Sequence, residues 1–335
     1  MSGLIRSACA AALLLGLAAS LSSRPAAVAE DSIPWFGESR LRRATLAEAR
    51  SKLGESDLFT KAMSPFDRMS RLEKGADPGD EALRTFAAAQ AVEWTDSEWG
   101  LVSQAARLLH ARLTELPPLP WPRDIHFIST TGREEGEAAY CRGPAVILPR
   151  KVLGRSPEAL ERLLAHELFH VLSNQNLEWR RRVYAVVGFQ LVPEVPLPAE
   201  LEPRKITNPD GALVNAVVQL ELDGGPAHVA PVLIASTPRY DPQQGGSFFR
   251  YLQFRLLVVQ RHGDQWRAKL DAGRPQLLEP EKTPAYGKRI GKNTGYIIHP
   301  DEIMADNFVH LVFQTQNLPT PDVVEGLRAA LQGKP

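Results

Sequence analysis

Cysteine is almost absent from the sequence. The 335 residues include two, Cys9 and Cys141, which excludes a fold held together by a framework of disulfides. Cys9 lies in an N-terminal segment that we expect to be cleaved, so Cys141 would keep no partner for an intramolecular disulfide. We interpret Cys141 as a small residue packed in a strand rather than as a nucleophile.

An excess of charge of either sign is also missing. The chain has 39 lysine and arginine residues and 39 aspartate and glutamate residues, so its formal net charge is zero. Without a basic surplus there is no overall field to attract nucleic acid, and we expect no nucleic-acid partner. Hydrophobic residues make up 44% and charged residues 23% of the chain. This composition excludes the disordered, collagen-like and coiled-coil classes.

The N-terminal apolar run is too short for an ordinary membrane span. Residues 8–21 are uncharged and rich in alanine and leucine, but a span needs roughly 20 apolar residues. Arg6 precedes the run, and Ala27-Val28-Ala29 has the small-x-small pattern of a signal-peptidase site. We therefore predict a signal peptide at residues 1–29, cleaved after Ala29, and a secreted or periplasmic protein without a stable membrane span. An uncleaved anchor is the alternative.

A cluster of prolines divides the chain into residues 30–118 and 119–335. These prolines are Pro117, Pro118, Pro120 and Pro122. Before them, apolar residues at helical spacing predict helices over about residues 41–116. One example of this pattern is Leu41 with Leu46, and another is Trp99 with Val102.

The second part of the chain combines strands and helices. Short apolar runs predict strands at residues 124–129, 138–141 and 145–148. Ser156-Pro157-Glu158 is a helix start, and it predicts a helix to about residue 173. Glycine-containing turns at Asp223-Gly224-Gly225 and His262-Gly263-Asp264 predict two hairpins. Helices are expected again at 300–313 and 321–331. The predicted class is therefore α+β, with a β-rich segment at about 200–285.

The sharpest chemical signal is the pentapeptide His166-Glu167-Leu168-Phe169-His170. It lies in the middle of a predicted helix, where residues four apart share one face, so both imidazoles can bind one metal ion. Zinc accepts imidazole nitrogen, and catalytic zinc keeps one coordination position open for water. Glu167 lies on the neighbouring stripe, within reach of that water. The competing interpretation is a structural helix with two hydrogen-bonded histidines.

Two histidines need a third ligand to hold zinc tightly. We predict Glu302 for this role, because Asp306 follows one helical turn later and could accept the second N–H of a ligating histidine. Glu178 and Glu194 are nearer in sequence but have no acidic residue four positions later, and His299 is a further option. An acidic helix start without a metal is the simplest alternative for Glu302 and Asp306.

Together the two motifs resemble those of the gluzincin zinc metallopeptidases, of which thermolysin is the type. The resemblance implies that His166, His170 and Glu302 bind Zn²⁺, that Glu167 is the general base, and that Asp306 orients a ligand histidine. It also implies a peptide or protein substrate and a zincin-like catalytic core.

The resemblance is limited to these two helices and the strand pair before the first. In zincins an edge strand above the zinc holds the substrate backbone, and residues 140–148 occupy the corresponding place in the sequence. Residues 171–301 are 131 residues, far more than the compact spacing of thermolysin-like enzymes. We therefore expect residues 200–285 to be a β-rich insertion, and residues 30–118 to be an N-terminal helical region.

The mechanism also needs a group that stabilises the developing oxyanion. Tyr286, Tyr296, His299 and His310 all lie near the second motif, and spacing alone does not choose among them. We take Tyr296 as the candidate catalytic residue beside Glu167. Two other functions stay open: a non-catalytic exported binding protein on a zincin scaffold, and a zinc hydrolase of a non-peptide substrate. The sequence carries no signal of an oligomeric state.

Overall fold

The computed structural model describes residues 31–333. The predicted signal peptide therefore lies outside the described residues. The first part of the fold contains five helices and three short strands. In chain order they are β1 (Ser32–Pro34), β2 (Arg40–Arg43), α1 (Leu46–Leu53), α2 (Leu58–Ala62), α3 (Pro65–Arg71), α4 (Asp80–Ala89), β3 (Ala91–Val92) and α5 (Asp96–Leu113).

Local sequence explains where these helices begin. At α1, α2, α3 and α5 the side chain of the residue before the helix accepts a hydrogen bond from the backbone N–H of the third helical residue. The side chain of this third residue in turn accepts a hydrogen bond from the backbone N–H of the residue before the helix. Each of these capping boxes satisfies two backbone donors that would otherwise lack partners. The helix start predicted at Thr95 is confirmed, because Thr95 caps α5 in this way.

The segment around Leu41 is a strand rather than the predicted helix. In β2 the buried Leu41 alternates with outward-facing arginines, and a period of two is the pattern of a strand. The pair Leu41 and Leu46 suggested a helix because a few apolar residues can match both periods. β2 is then fixed by tertiary pairing, since it runs parallel to a strand of the second part, with Leu41 opposite Ile125.

The second part of the chain supplies the remaining elements. Up to the motif-bearing helix and its neighbours these are β4 (Asp124–Thr130), β5 (Tyr140–Arg142), β6 (Ala145–Pro149), α6 (Pro157–Gln175), α7 (Leu177–Val186) and β7 (Phe189–Leu191). The elements that follow are β8 (Ala216–Leu222), β9 (Gly225–Ala235), β10 (Leu252–His262), β11 (Gln265–Ala268), β12 (Leu270–Asp271), β13 (Arg274–Pro275), β14 (Leu277–Leu278), α8 (Pro284–Ile290), α9 (Pro300–Val312) and α10 (Pro321–Leu331).

One six-stranded sheet joins the two parts of the chain. Its order is β1-β2-β4-β6-β5, with β3 also paired to β4. β2, β4 and β6 are parallel, whereas β5 runs antiparallel to β6 with Cys141 opposite Val146. β5 is therefore the last strand of the sheet, and one side of its backbone faces away from β6. The predicted division near residue 118 stays a prediction, although β1 and β2 belong to the same sheet as β4.

A second sheet corresponds to the predicted β-rich segment. Its antiparallel order is β11-β10-β9-β8-β7, with β14 paired to β10. Both predicted hairpins are confirmed, since Leu222 pairs with Gly225 and His262 pairs with Gln265. Helices and sheets are thus both present as separate elements, and the predicted α+β class is confirmed.

Helix α6 lies at the centre of the main hydrophobic core. Leu164 and Leu168 on α6 are fully buried in one cluster with Phe127 of β4, Leu109 of α5 and Phe308 of α9. Each such side chain contributes about 1.5–3 kcal/mol on burial, so α6 and α9 are held firmly against each other. This packing fixes the relative position of the two motifs. Within residues 31–333, none of the helices combines the length and apolar character that crossing a bilayer requires.

Candidate metal centre

The two motif histidines lie on one face of α6. Ser156 caps the helix and Pro157 is its first residue, as the sequence predicts. The imidazole rings of His166 and His170 follow each other by one turn, with their centroids 4.6 Å apart. His170 is buried and His166 is partly exposed.

Helix α9 brings Glu302 to the same point. Glu302 Oε2 lies 3.2 Å from His166 Nε2 and 3.4 Å from His170 Nε2. Its other oxygen, Oε1, accepts a hydrogen bond of 2.7 Å from Asn208 Nδ2. The three predicted ligands therefore come together, although Glu302 is 136 residues after His166.

The alternative third ligands do not reach this point. Glu178 and Glu194 are exposed, on α7 and in the loop after β7. His299 caps α9, and its Nδ1 accepts the backbone N–H of Asp301. Glu302 is thus the carboxylate that joins the two histidines.

A second ring of carboxylates orients both histidines. His166 Nδ1 donates to Asp306 Oδ1 at 3.0 Å, which is the predicted partnership. His170 Nδ1 donates to Asp301 Oδ2 at 2.6 Å, and the sequence analysis missed Asp301. The signal that could have found it is its position beside Glu302 at the start of the same helix.

Asp301 is itself held by several donors. Its Oδ1 accepts hydrogen bonds from Ser173 Oγ and, at 2.6 Å, from Tyr184 Oη. Burial opposes the charge on Asp301, but the hydrogen bond with His170 and the positive charge of His170 and Arg180 together lower the pKa of the Asp301 carboxyl. A fully buried carboxylate with three donors is a rigid support for the His170 ring.

These hydrogen bonds leave electron-rich atoms facing one another. Because both Nδ1–H groups point to carboxylates, the Nε2 lone pairs of His166 and His170 are directed toward one oxygen of Glu302. Such an arrangement repels unless protons or a cation lie between the three atoms. Burial opposes charge on His166, yet the hydrogen bonds with Asp306 and Glu302 raise its pKa to about 9. The site therefore attracts positive charge.

The spacing of the three atoms fits a metal ion. Two atoms bound at about 2.0–2.1 Å to a tetrahedral zinc lie about 3.3–3.4 Å apart. The two distances from Glu302 Oε2 to the imidazole nitrogens are 3.2 and 3.4 Å. Two neutral imidazoles and one carboxylate are also a donor set that zinc accepts. The residues present thus fit a zinc ion in both geometry and chemistry.

Glu167 lies between the two histidines in the α6 sequence and contacts strand β5. Its backbone oxygen and Oε2 face the Cys141 thiol, at 3.1 and 3.5 Å. Burial raises the pKa of the Glu167 carboxyl, against the attraction of His166 and His170. Cys141 is fully buried in β5, which confirms its prediction as a small packed strand residue.

Asp210 is the second residue that the sequence analysis missed. Its carboxylate, the Glu167 carboxylate and Cys141 Sγ lie within 4.8 Å of one another. Asp210 belongs to the tetrapeptide Asn-Pro-Asp-Gly, which is typical of a solvent-exposed turn. No local pattern indicates that this aspartate is buried.

The four candidates for the oxyanion donor differ in position. The Tyr296 ring stacks on His166 with centroids 6.2 Å apart, and Tyr296 is 42% exposed. Tyr286 is buried and donates its hydroxyl to the Ile297 carbonyl. The His310 ring contacts the carbonyl of Asn293 and the hydroxyl of Thr315. His299 is buried beneath the start of α9. Tyr296 is therefore the one of the four at the rim of the site.

His299 predicts a pH dependence of stability. Its Nε2 is buried without a hydrogen-bond partner within residues 31–333. Burial, opposed by Asp301 and Glu302, lowers its pKa from 6.5 to about 4. Unfolding exposes a histidine that binds a proton more readily, so its contribution to stability is present above pH 6.5 and is lost as the pH falls to about 4. At about 1.4 kcal/mol for each pH unit, the loss is about 3 kcal/mol.

The variant His299→Asn tests this expectation. Asparagine is a good helix cap but does not titrate, so the variant should lose less stability than the wild type on acidification. Urea unfolding at neutral and acidic pH measures the difference. Both proteins contain the same carboxylates, and an identical pH dependence in the two would contradict the expectation.

Comparison with known proteins gives no further information on this site. No protein-family model, curated protein or solved structure matches the chain. The functional interpretation therefore depends on the sequence motifs and on the geometry of the site.

Proposed function

We propose that the protein is an exported zinc-dependent metallopeptidase of gluzincin type, with His166, His170 and Glu302 as zinc ligands. One observation carries this proposal: both imidazole Nε2 atoms face the same Glu302 oxygen at the spacing of a tetrahedral zinc site. Asp306 and Asp301 support it, because carboxylates on the second ring nitrogen fix the tautomer that binds a metal.

The arrangement around α6 also supports a zincin-like core. β5 is an antiparallel edge strand beside α6, and the resemblance to zincins implies a strand of this kind next to the zinc. The β-rich segment lies between α7 and α8 in the chain, as an insertion between the two metal-binding helices requires. The zincin fold itself stays part of the proposal.

In the proposed reaction, Glu167 and Tyr296 have separate roles. A bound zinc ion supplies Lewis acidity, which lowers the pKa of its water toward about 7 and polarises a carbonyl. Glu167 accepts the proton of the attacking water and returns it to the leaving amine. Burial raises the pKa of Glu167 above its ordinary value, the direction that makes the carboxyl a better proton acceptor. The Tyr296 hydroxyl, at the rim, donates a hydrogen bond to the oxyanion.

Zinc analysis of the purified mature protein tests the proposal. The wild type should contain about one zinc per chain, and His166→Ala should contain none, because two donors hold the ion too weakly. His262→Ala is the matched control, since this exposed histidine at the end of β10 lies in a hairpin outside the site. At a zinc concentration of 1,000 times Kd, binding stabilises the fold by about 4 kcal/mol. Thermal unfolding with and without a chelator measures this effect.

A wild type that purifies without zinc and takes up none would contradict the proposal. The burial of Glu167, which is 3% exposed, favours the second candidate, a non-catalytic binding protein on a zincin scaffold. Assays with a panel of peptides and a chelator control separate the two. Bound zinc without peptide cleavage would favour the second candidate, and zinc-dependent cleavage of esters alone would indicate a hydrolase of non-peptide substrates.

A further inference from the structure

The chain folds over its own candidate metal centre. Residues 208–211 form a tight turn in which the Gly211 N–H donates to the Asn208 carbonyl at 3.2 Å and the Asp210 N–H donates to Asn208 Oδ1 at 3.1 Å. From this turn Asn208 Nδ2 donates to Glu302 Oε1 at 2.7 Å. The 208–211 turn thus contacts a proposed zinc ligand directly.

The tip of the turn contacts the edge strand. Asp210 Oδ1 accepts the backbone N–H of Cys141 at 3.0 Å. Cys141 belongs to β5, and among residues 31–333 no strand pairs with the side of β5 opposite β6. An extended peptide that binds beside a sheet uses such outward-facing N–H groups of the edge strand. The Asp210 carboxylate therefore accepts a hydrogen bond from a backbone N–H that a peptide substrate would need.

The turn also separates Glu167 from solvent. Asp210 is 5% exposed and Glu167 is 3% exposed, and their carboxylates belong to one close group. A general base must lie within hydrogen-bond reach of the water and the substrate that it serves. Because Glu167 is almost completely shielded from solvent, a substrate cannot reach the base while the turn is in this position.

Both ends of the turn are anchored. Before it, the Ile206 N–H donates to the Leu233 carbonyl at 2.9 Å, and the Thr207 hydroxyl donates to Asp67 Oδ2 at 2.7 Å. After it, Gly211 packs so closely on His299 that an added Cβ would lie 2.4 Å from the ring. Movement is therefore confined to the few residues between Thr207 and Gly211.

Burial opposes the closed position of the turn. Closure takes the Asp210 carboxylate out of water and places it near three other acidic residues, Glu167, Glu302 and Asp301, although His170 attracts it. An open turn would return Asp210 to water. Hydrogen bonds and the attraction of His170 hold the closed position against this cost.

We propose that the 208–211 turn is an autoinhibitory cover, in which Asp210 takes the place of a substrate carbonyl on the Cys141 N–H and must leave before a peptide binds. This inference rests on the proposed metallopeptidase function. It adds that the folded protein is closed and that opening of the turn regulates access to the site.

The test compares three variants of the zinc-loaded mature protein. Asp210→Ala removes the acceptor for the Cys141 N–H. Asp210→Asn keeps an acceptor oxygen but removes the charge. Pro209→Gly keeps the Asn208 and Asp210 side chains that contact the site and makes the backbone of the turn more flexible. This variant keeps the test informative if Asp210→Ala folds poorly. The probe is the peptide hydroxamate acetyl-Leu-Ala-NHOH, with Kd measured by calorimetry, together with the rate at which 1,10-phenanthroline withdraws zinc.

Asp210→Ala should bind the hydroxamate at least about tenfold more tightly than the wild type, because the open fraction sets the apparent Kd. Zinc withdrawal should accelerate by a similar factor. Asp210→Asn should bind the hydroxamate no more tightly than the wild type, because it keeps an acceptor for the Cys141 N–H and costs less to bury than a carboxylate. Pro209→Gly should lie between the wild type and Asp210→Ala. This order separates the hydrogen-bonded cover from a simple effect of charge, which would change Asp210→Asn and Asp210→Ala alike.

Four results would contradict the proposed cover. Equal hydroxamate affinity in the wild type, Asp210→Ala and Pro209→Gly would show that the turn does not compete. Weaker hydroxamate binding by zinc-containing Asp210→Ala would make Asp210 a substrate-binding residue, and loss of zinc from this variant would make it a ligand. A wild type that binds neither zinc nor hydroxamate would instead overturn the proposed function, and the cover with it.

Discussion

Replacing Glu167 with glutamine should lower peptide hydrolysis by about 10²–10⁴-fold, the range attributed to general acid–base catalysis, and should leave zinc bound. Glutamine has nearly the same shape as glutamate, but it cannot accept the proton of the attacking water. Glu167 is not among the three atoms that converge at the metal position, so its replacement spares the ligand set. Zinc content and the rate of cleavage of a fluorogenic peptide are measured on the same preparation.

Glu158→Gln is the matched control for this variant. Glu158 lies in the first turn of the same helix, is exposed, and pairs with Arg162 in an i,i+4 contact. Loss of such a surface pair has an effect of at most about 1 kcal/mol and should leave the rate unchanged. Full activity of Glu167→Gln would exclude Glu167 as the base, and simultaneous loss of zinc would indicate a ligand role instead.

Arg71→Met should destabilise the protein by about 3–5 kcal/mol, the effect of breaking a buried ion pair from one side. The Arg71 guanidinium lies 2.7 Å from Asp67 Oδ1, and its Nε donates to Glu135 Oε2 at 2.7 Å. All three side chains are at most 3% exposed. Methionine fills a similar volume but leaves two buried carboxylates without their cation. Asp67 also holds Thr207, so the effect should extend to the segment before the 208–211 turn.

Arg68→Met on the same helix provides the comparison. Arg68 pairs with Asp77, whose side chain is 33% exposed, and water can solvate Asp77 once the arginine is lost. This change should therefore have an effect below about 1 kcal/mol. Urea unfolding measures both variants. Equal destabilisation by the two substitutions would contradict the role assigned to the buried network around Arg71.

The parts of the fold that were predictable depend on local chemistry. The start of α6 follows from Ser156 and Pro157, and the common face of His166 and His170 follows from helix geometry alone. The hairpin turn at Asp223-Gly224 likewise favours one conformation wherever it occurs. The position of Glu302 beside the two histidines was predictable because a carboxylate with an acid one turn later is a typical arrangement next to histidines that bind a metal.

The parts that were missed depend on contacts between distant segments. Asp301 differs from an ordinary helix-start acid only because α9 packs on α6 and directs it to His170. Asp210 is buried because the roots of its turn are fixed by residues far away in the chain, including Asp67 and Leu233. β2 becomes a strand because β4 is available to pair with it. Spacing along the chain carries none of this information.

The buried thiol of Cys141 has a practical consequence for measuring motion in this protein. In a chain that starts at residue 30, Cys141 is the sole cysteine, and it is fully enclosed between β5 and α6. An alkylating reagent can reach the sulfur only during a local opening event that moves α6 or the 208–211 turn away from β5. The labelling rate of the unmodified protein, followed by mass spectrometry, would thus report the frequency of that event without any added probe.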